Sequence, residues 1–415
     1  MRSGGPIFEG GRVKTEMKTK DQLSHSQLKR FEGWMNSVES ISELINNSLE
    51  EIDFNRCLPK KVLDALHDAK IFRMSLPKKL GGGEFTPELL SQAAERLARA
   101  DASVGWCFGQ GTGCAMSAAF LEDGIAEDIF GPGDSVLAWG AGQAGKAVAC
   151  DGGYKVTGTW RFASGAGHAT WLGGHSMVFE EDGSPRINKD GKHVDRTALF
   201  KKKSATMKDD WHVMGLKGTR SESYTVEDMF IPESHTLDRE APEECRVQAP
   251  LYIFPTTLVY ASCFSGVALG IARGSLDDLI LLARTKVQRA ARSSMRESPV
   301  FQTQLAELEA KWGAAKAYQQ ATLIEITDRV KDTMLLSMSD RAKIRLATTY
   351  AINEATEVVQ KVYRLAGSTA IFENQPFERR FRDMHAVSQQ MQARYTHFET
   401  VGRHMMDLDN TAAHM

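Results

Sequence analysis

Residues 140–145, Gly-Ala-Gly-Gln-Ala-Gly, carry the spacing G-x-G-x-x-G, which in a dinucleotide-binding turn brings the backbone close to a pyrophosphate. That chemistry needs a strand before the glycines, a helix opening on them, and an acidic side chain about 20 residues further on. The run Ser135-Val-Leu-Ala-Trp139 supplies the strand. Only five residues separate Gly145 from the turn Asp151-Gly152-Gly153, so no helix N-terminus can face a phosphate there, and Trp160 falls where the acid should be. The stretch therefore predicts no Rossmann site. A second stretch, GTWRFASGAGHATWL (158–172), sets a hydroxyl, Ser164, one short turn from an imidazole, His168. A hydroxyl can hydrogen-bond a reacting group, and an imidazole can exchange a proton near neutral pH. On the residues alone, Ser164 equally fits a plain Ser-Gly turn between strands, and His168 a structural turn histidine.

Other chemistries find little support. The six cysteines (Cys57, Cys107, Cys114, Cys150, Cys245 and Cys263) form no C-x-x-C pair, and no Cys/His group has zinc spacing, so no metal site is expected. Reduced, mostly buried thiols in a cytoplasmic protein fit this usage. Hydrophobic residues make up 42% of the chain, charged residues 25%, and the net charge is −2. This is ordinary globular composition, and it argues against nucleic acid or an anionic membrane as the main partner. The tract Lys201-Lys202-Lys203 reads as a solvated strand end. The N-terminal residues have no apolar signal region, and no apolar run reaches the ~20 residues that span a bilayer.

The elements that must hold these groups follow from periodicity. Residues 1–24 read as a flexible tail. Residues 26–45 place Phe31, Trp34, Met35, Val38, Ile41, Leu44 and Ile45 on one helical stripe. Further helices are expected over 58–69, from Thr86 as N-cap with Pro87 first, and over 102–130. Then the period changes. Tyr154, Val156, Trp160 and Phe162 alternate, with Trp160 and Phe162 on one strand face, and turn signals recur at Asp182-Gly183 and Asp190-Gly191. Past residue 250 the helical period returns in a long span interrupted at Pro255, then over 301–327, 340–366 and 383–406. The expected fold is a multidomain α+β chain: a tail (1–24), an N-terminal helical domain (25–134), a middle antiparallel β domain (135–237) and a C-terminal four-helix bundle (238–415).

This order, together with four strings, resembles the acyl-CoA dehydrogenase superfamily. LPKKLGGGE (76–84) resembles its Pro-x-x-x-Gly-Gly segment, and ERLARADASVGW its next helix. DWHVMGLKGTRSESYTVEDMFIPESHT resembles the close of its β domain. RLAGSTAIFENQPFERRFRDMHA, with the pair Arg382-Asp383, resembles its last interhelical turn. Within the superfamily, Trp160-x-Phe162-x-Ser164-Gly165 looks like the signature of the flavin-dependent hydroxylases, the 4-hydroxyphenylacetate hydroxylase and dibenzothiophene monooxygenase group. In that branch the serine lies beside flavin N5 and the flavin C4a-hydroperoxide. The dehydrogenases' glutamate base has no counterpart: residues 384–398 and 247–276 contain no carboxylate.

The resemblance implies flavin contacts at Trp139, Gly140, Ala141, Trp160, Phe162, Ser164 and Gly165, and at Lys286, Gly367, Ser368 and Arg382. Lys286 stands where the dehydrogenases place an arginine that meets the flavin phosphates of a neighbouring subunit; a solvated helix lysine is the alternative. Trp106, Phe108, Cys114 and Met116 would shape the substrate pocket, or simply pack the core. Two histidines usual in the branch fall by spacing at Cys114 and Gln390. Gln390 can hydrogen-bond but not exchange protons, which favours a substrate needing no phenol deprotonation, such as an indole. Ser164, Gln390 and His168 are the catalytic candidates.

What the resemblance implies overall is an oxygenase component of a two-component flavin monooxygenase. It would use reduced flavin (FADH2 or FMNH2) and O2 on a small aromatic substrate. The flavin would come from a separate NAD(P)H:flavin reductase, and the oxygenase would be a homotetramer in the cytoplasm. An acyl-CoA dehydrogenase with a displaced base and a non-catalytic flavin-binding or assembly subunit are the alternatives.

Overall fold

The computed structural model describes residues 25–239, 241–287 and 293–408; the tail assigned to residues 1–24 lies outside the described residues. The first helices are α1 (His25–Asn46), α2 (Leu49–Asn55), α3 (Lys60–Asp68), α4 (Pro87–Ala100), α5 (Ala102–Ala115) and α6 (Asp123–Phe130). Asp101 starts α5 by accepting the Val104 N–H at 2.9 Å. The helix expected over 102–130 stops at Ala115, where the Ser117 hydroxyl turns back to the Cys114 carbonyl at 2.6 Å. At Gly113 a Cβ would lie 2.2 Å from the Tyr260 ring, so a glycine there lets α5 approach the bundle closely.

The sheet contains β1 (Leu137–Trp139), β2 (Gly145–Cys150), β3 (Gly153–Trp160), β4 (Trp171–Phe179), β5 (Asp195–Lys201), β6 (Thr206–Lys208), β7 (Ser223–Pro232) and β8 (Thr236–Leu237). Its order is β6-β7-β3-β2-β4-β5-β8, with β1 also on β4. The sheet is mixed rather than wholly antiparallel, because β1 and β2 both run parallel to β4. The segment 161–170 crosses over between β3 and β4, so β4 does not return as a hairpin.

β1 and β2 are one strand line interrupted along the edge of β4. Leu137 pairs with Trp171 and Gly145 with Ser176, so eight steps along one strand face five along the other. The surplus is looped out at residues 141–144, all exposed. The G-x-G-x-x-G spacing is thus a bulge. Its Gly140 needs to be small, since a Cβ would sit 2.6 Å from the Arg161 carbonyl and 2.7 Å from Trp160 Cβ.

The remaining helices are α7 (Thr256–Thr285), α8 (Pro299–Thr333), α9 (Met338–Ala366), α10 (Pro376–Ser388) and α11 (Thr396–Met405). Pro255 sits at the N-cap of α7 instead of interrupting it. The helix expected over 383–406 is split in two. Buried Gln392 is drawn into the bundle by Arg345 and by the Thr349 hydroxyl, which donates to its carbonyl at 3.1 Å. The chain must turn between α10 and α11 to let it in.

Helices from both ends share one apolar core, to which Leu90, Leu97, Phe108, Val259, Phe264 and Val267 belong, and Trp139 and Trp171 join it from the sheet. A second core inside the sheet gathers around Trp160, Tyr224 and Phe200. Among the described residues no helix is long and apolar enough to cross a membrane, and no group of His, Cys, Asp and Glu could hold a metal ion.

Candidate active site

Beyond β3 the backbone passes through a left-handed conformation at Phe162 (φ 60°), which ends the strand and turns the chain inward. Two bonds fix this turn from outside: Gly165 N–H donates to the Thr219 carbonyl at 2.9 Å, and Lys202 Nζ to the Gly167 carbonyl at 2.8 Å. Lys202 is therefore half-buried, unlike the solvated lysine expected of its tract. Ser164 is carried into the interior, where its Oγ accepts from Trp106 Nε1 at 2.9 Å and lies 2.7 Å from Ser221 Oγ. Ser221 Oγ in turn lies 2.7 Å from Thr219 Oγ1, which donates to the Leu216 carbonyl at 2.8 Å.

Trp106, on α5, is the end of a row of rings. It stacks on Phe264 of α7 with centroids 3.9 Å apart and an interplanar angle of 7°. Phe264 is parallel to Tyr260, one helical turn earlier, at 5.5 Å. The Tyr260 hydroxyl accepts from Gln110 Nε2 at 3.1 Å and lies 3.5 Å from Cys114 Sγ. Next to this end, the Arg239 guanidinium covers the Trp139 ring at 5.3 Å, and His175 meets the same ring edge-on at 5.1 Å. Among the described residues Arg239 has no carboxylate partner.

Burial makes the row a neutral environment. The Cys114 thiol is pushed up to about 12, chiefly by burial, so it stays protonated. The Tyr260 phenol is raised and the His175 imidazole lowered, again by burial first. Arg239 is the cation beside these groups. An apolar row with a few aimed polar atoms keeps water from its surroundings.

The sequence-derived candidates separate on this frame. Trp160 does not reach the surface: it is fully buried in the sheet core and gives its indole N–H to the His175 carbonyl at 2.9 Å. Phe162 is 64% exposed, so the two do not share a strand face; the left-handed turn between them reverses the alternation. Phe108 and Met116 are buried in the shared core. His168 packs against Phe72 at 5.5 Å, its Nε2 has no hydrogen-bond partner among the described residues, and burial pushes it down to about 3. It is a neutral packing residue near pH 7, which removes the expected proton carrier.

Gln390 is spent locally, its Oε1 accepting the Gln392 N–H at 2.7 Å. Arg382 is likewise engaged. It pairs with Glu378 and with Asp53 at 3.4 Å and donates to the Met214 carbonyl, so it clamps a loop instead of standing free for a phosphate. Lys286 binds Thr369 Oγ1 at 2.7 Å and the Ala366 carbonyl, at a corner where Gly367 and Ser368 are exposed. Among the described residues no hydrogen bond, ion pair or ring contact joins this corner to the row at Ser164. Ser221, Thr219, Tyr260, Phe264 and Arg239 escaped the sequence reading. Only the i, i+4 spacing of Tyr260 and Phe264 signalled a shared helix face, and nothing in it pointed to Ser164.

The surface beside Ser164 is partly apolar. Phe162, Met214 (54% exposed) and the rim of Trp211, edge-on to Phe162 at 6.1 Å, form an apolar ledge. The 141–144 bulge adjoins it, because Ala141 bridges to Arg161.

Comparison with known proteins agrees with this architecture. Residues 38–127 match the family model for the acyl-CoA dehydrogenase N-terminal domain and residues 262–395 that for an acyl-CoA dehydrogenase C-terminal domain, together more than half of the chain. The chain belongs to the acyl-CoA dehydrogenase superfamily. Within it, the chain groups with the flavin-dependent monooxygenase branch. It is 28% identical to an indole-3-acetate monooxygenase of Acinetobacter baumannii, over 82% of this chain and 85% of that protein. It is 27% identical to the flavin-dependent monooxygenase oxygenase subunit HsaA of Rhodococcus jostii, over 85% and 92%. XiaF from a Streptomyces species, solved with FADH2 and glycerol, superimposes with a TM-score of 0.87 at 20% identity, over 94% of this chain and 99% of that one.

Proposed function

We propose that this chain is the oxygenase component of a two-component flavin-dependent monooxygenase that adds one oxygen atom of O2 to a small aromatic or heteroaromatic ring, indole-type rings included. Reduced flavin, FADH2 or FMNH2, supplies the electrons that activate O2, and a separate NAD(P)H:flavin reductase delivers it. The observation that carries the reading is the Ser164 hydroxyl, buried at the end of the Trp106–Phe264–Tyr260 row and two residues past the exposed Phe162.

In this reading Gly140, Ala141, Phe162 and Gly165 bear on the flavin ring and Ser164 hydrogen-bonds it. Trp106, Phe264, Tyr260, Gln110 and Cys114 line the substrate side and exclude water. Arg239 offers a cation to an anionic side chain on the substrate. The A. baumannii relative is named for indole-3-acetate, an aromatic carboxylate of that kind. Lys286, Gly367 and Ser368 serve the flavin of a neighbouring subunit in a homotetramer. In support, Ile371 and Phe372 beside them are 64% and 57% exposed, as an interface would leave them in one chain alone. The assembly works in the cytoplasm.

The test is to mix purified protein with reduced flavin, O2 and a panel of aromatic compounds, and separately with oxidised flavin and acyl-CoA thioesters without O2. Hydroxylated product in the first arm supports the oxygenase. Flavin bleaching in the second, without product in the first, would instead make it a dehydrogenase. Neither signal would leave a non-catalytic flavin-binding subunit.

A further inference from the structure

We propose that Tyr260 joins Arg239 in a two-donor carboxylate site, so that the chain takes aromatic acids in preference to their neutral amides, a substrate class that rests on the oxygenase reading above.

A charge held away from water needs a counter-charge, and Arg239 has no carboxylate partner among the described residues. Its guanidinium is half-buried over the Trp139 ring at 5.3 Å. Its charge bears on Tyr260, Cys114 and His175, all three buried. Burial keeps the phenol and the thiol protonated and the imidazole neutral, so none of the three balances the guanidinium. The counter-charge is left for a ligand to bring.

The Tyr260 proton is left over in the same place. The Gln110 carboxamide N–H only donates, so in their 3.1 Å contact the Tyr260 oxygen accepts. A second contact runs from Gln110 Nε2 to Cys114 Sγ at 3.5 Å. Among the described residues the one acceptor that the Tyr260 hydroxyl reaches is that same Sγ, also at 3.5 Å. A thiol sulfur is a weak acceptor, and Gln110 already approaches this one. The ring is held in place, parallel to Phe264 at 5.5 Å and pressed by α5 at Gly113, where a Cβ would stand 2.2 Å from it. Gln110 and Arg239 are both only half-buried, which keeps this end of the row within reach of a small ligand.

A carboxylate presents two oxygens and takes one donor on each, the guanidinium on one and the phenol on the other. A carboxamide of the same shape satisfies the phenol through its oxygen but sets its NH2 against the guanidinium, donor against donor. Tyr260 and Arg239 therefore set the specificity together.

The test is the ratio of dissociation constants for indole-3-acetamide and indole-3-acetate, measured by calorimetry on the purified chain near neutral pH. The natural protein should bind the acid about tenfold more tightly or better. Tyr260→Phe keeps the ring and removes only the hydroxyl, and should cut this ratio about threefold or more. Arg239→Gln should bring it close to one, and Arg239→Lys, which keeps the charge, should lose less. A natural ratio near one, or no binding of either compound, would overturn the proposal. So would an unchanged ratio in Tyr260→Phe, with both compounds weakened alike, which would reduce Tyr260 to a packing residue. Hydroxylation is read separately. An acid preference without hydroxylated product from reduced flavin and O2 would keep the carboxylate site and overturn the oxygenase reading; product without an acid preference would overturn the site alone.

Discussion

Asp383 accepts a 2.6 Å hydrogen bond from the Leu216 N–H, and the carbonyl of the same Leu216 ends the line of hydroxyls that starts at Ser164. The pair Arg382-Asp383 thus acts on the site from the bundle. It pins the loop before β7, from which that line of hydroxyls hangs. Close contact is built in at Gly215, where a Cβ would meet the Arg382 carbonyl at 2.2 Å.

This clamp should be sensitive to pH. Burial first, then the nearby charge of Asp101, raise the Asp383 carboxyl to about 7 from its ordinary 3.8. A raised carboxyl favours the protonated form in the folded state, so its stabilising contribution is complete below about pH 4 and is lost as pH rises through about 7. The loss is at most about 1.4 kcal/mol per pH unit in that window. Asp383→Asn keeps an oxygen for Leu216 and has no proton to lose. Melting curves from pH 5 to 8 should show the natural protein falling relative to the variant; parallel curves would remove Asp383 from the pH response.

Ser164→Ala should uncouple the reaction. The variant leaves the Trp106 N–H without its acceptor, at a cost of about 1–3 kcal/mol that a fold of this size tolerates. Hydrogen peroxide formed per reduced flavin oxidised should rise several-fold while circular dichroism is unchanged. Unaltered peroxide yield and hydroxylation would take Ser164 out of the mechanism.

Arg239→Gln tests the charge at the far end of the row. A charge-assisted hydrogen bond is worth roughly 1.5–3 kcal/mol, so KM for an aromatic carboxylate should rise about tenfold or more. Turnover of neutral indole should change little. Equal effects on both substrates would show that Arg239 only supports Trp139.

Gly140→Ala and Gly142→Ala should differ. At Gly140 a Cβ collides with the Arg161 carbonyl and Trp160, and overpacking of this kind costs about 1–3 kcal/mol. At Gly142 (φ 78°) there is open space, and only the left-handed backbone costs about 1 kcal/mol. The first substitution should lower the melting temperature more and weaken flavin binding; the reverse order would contradict the bulge as a flavin ledge.

The order of helices, sheet and helices was legible because periodicity is local, and so was the turn at Ser164, marked by Ser-Gly after an alternating strand. The break between β1 and β2 was not, since it depends on which strand lies alongside. The bulge carries a dinucleotide spacing because Gly140 and Gly145 yield to Trp160 while Gly142 takes a left-handed backbone. Trp160 and Phe162 looked like one strand face because a left-handed residue cannot be read from a phenylalanine. His168 and Arg382 have the right chemistry in the chain but not in space, one lost to burial and the other to Asp53 and Glu378. Ser221 and Thr219 gain their role from the Leu216 carbonyl alone, a backbone atom with no signature in the sequence.

The central claim is that this chain transfers oxygen from O2 to an aromatic ring. The most direct measurement is the origin of the oxygen in the product, with reduced flavin, isotopically labelled O2 and an indole-type substrate. The account predicts one labelled oxygen atom in the hydroxylated ring and none from water. Product carrying oxygen only from water, or no product from any ring while an acyl-CoA reduces the bound flavin, would contradict it.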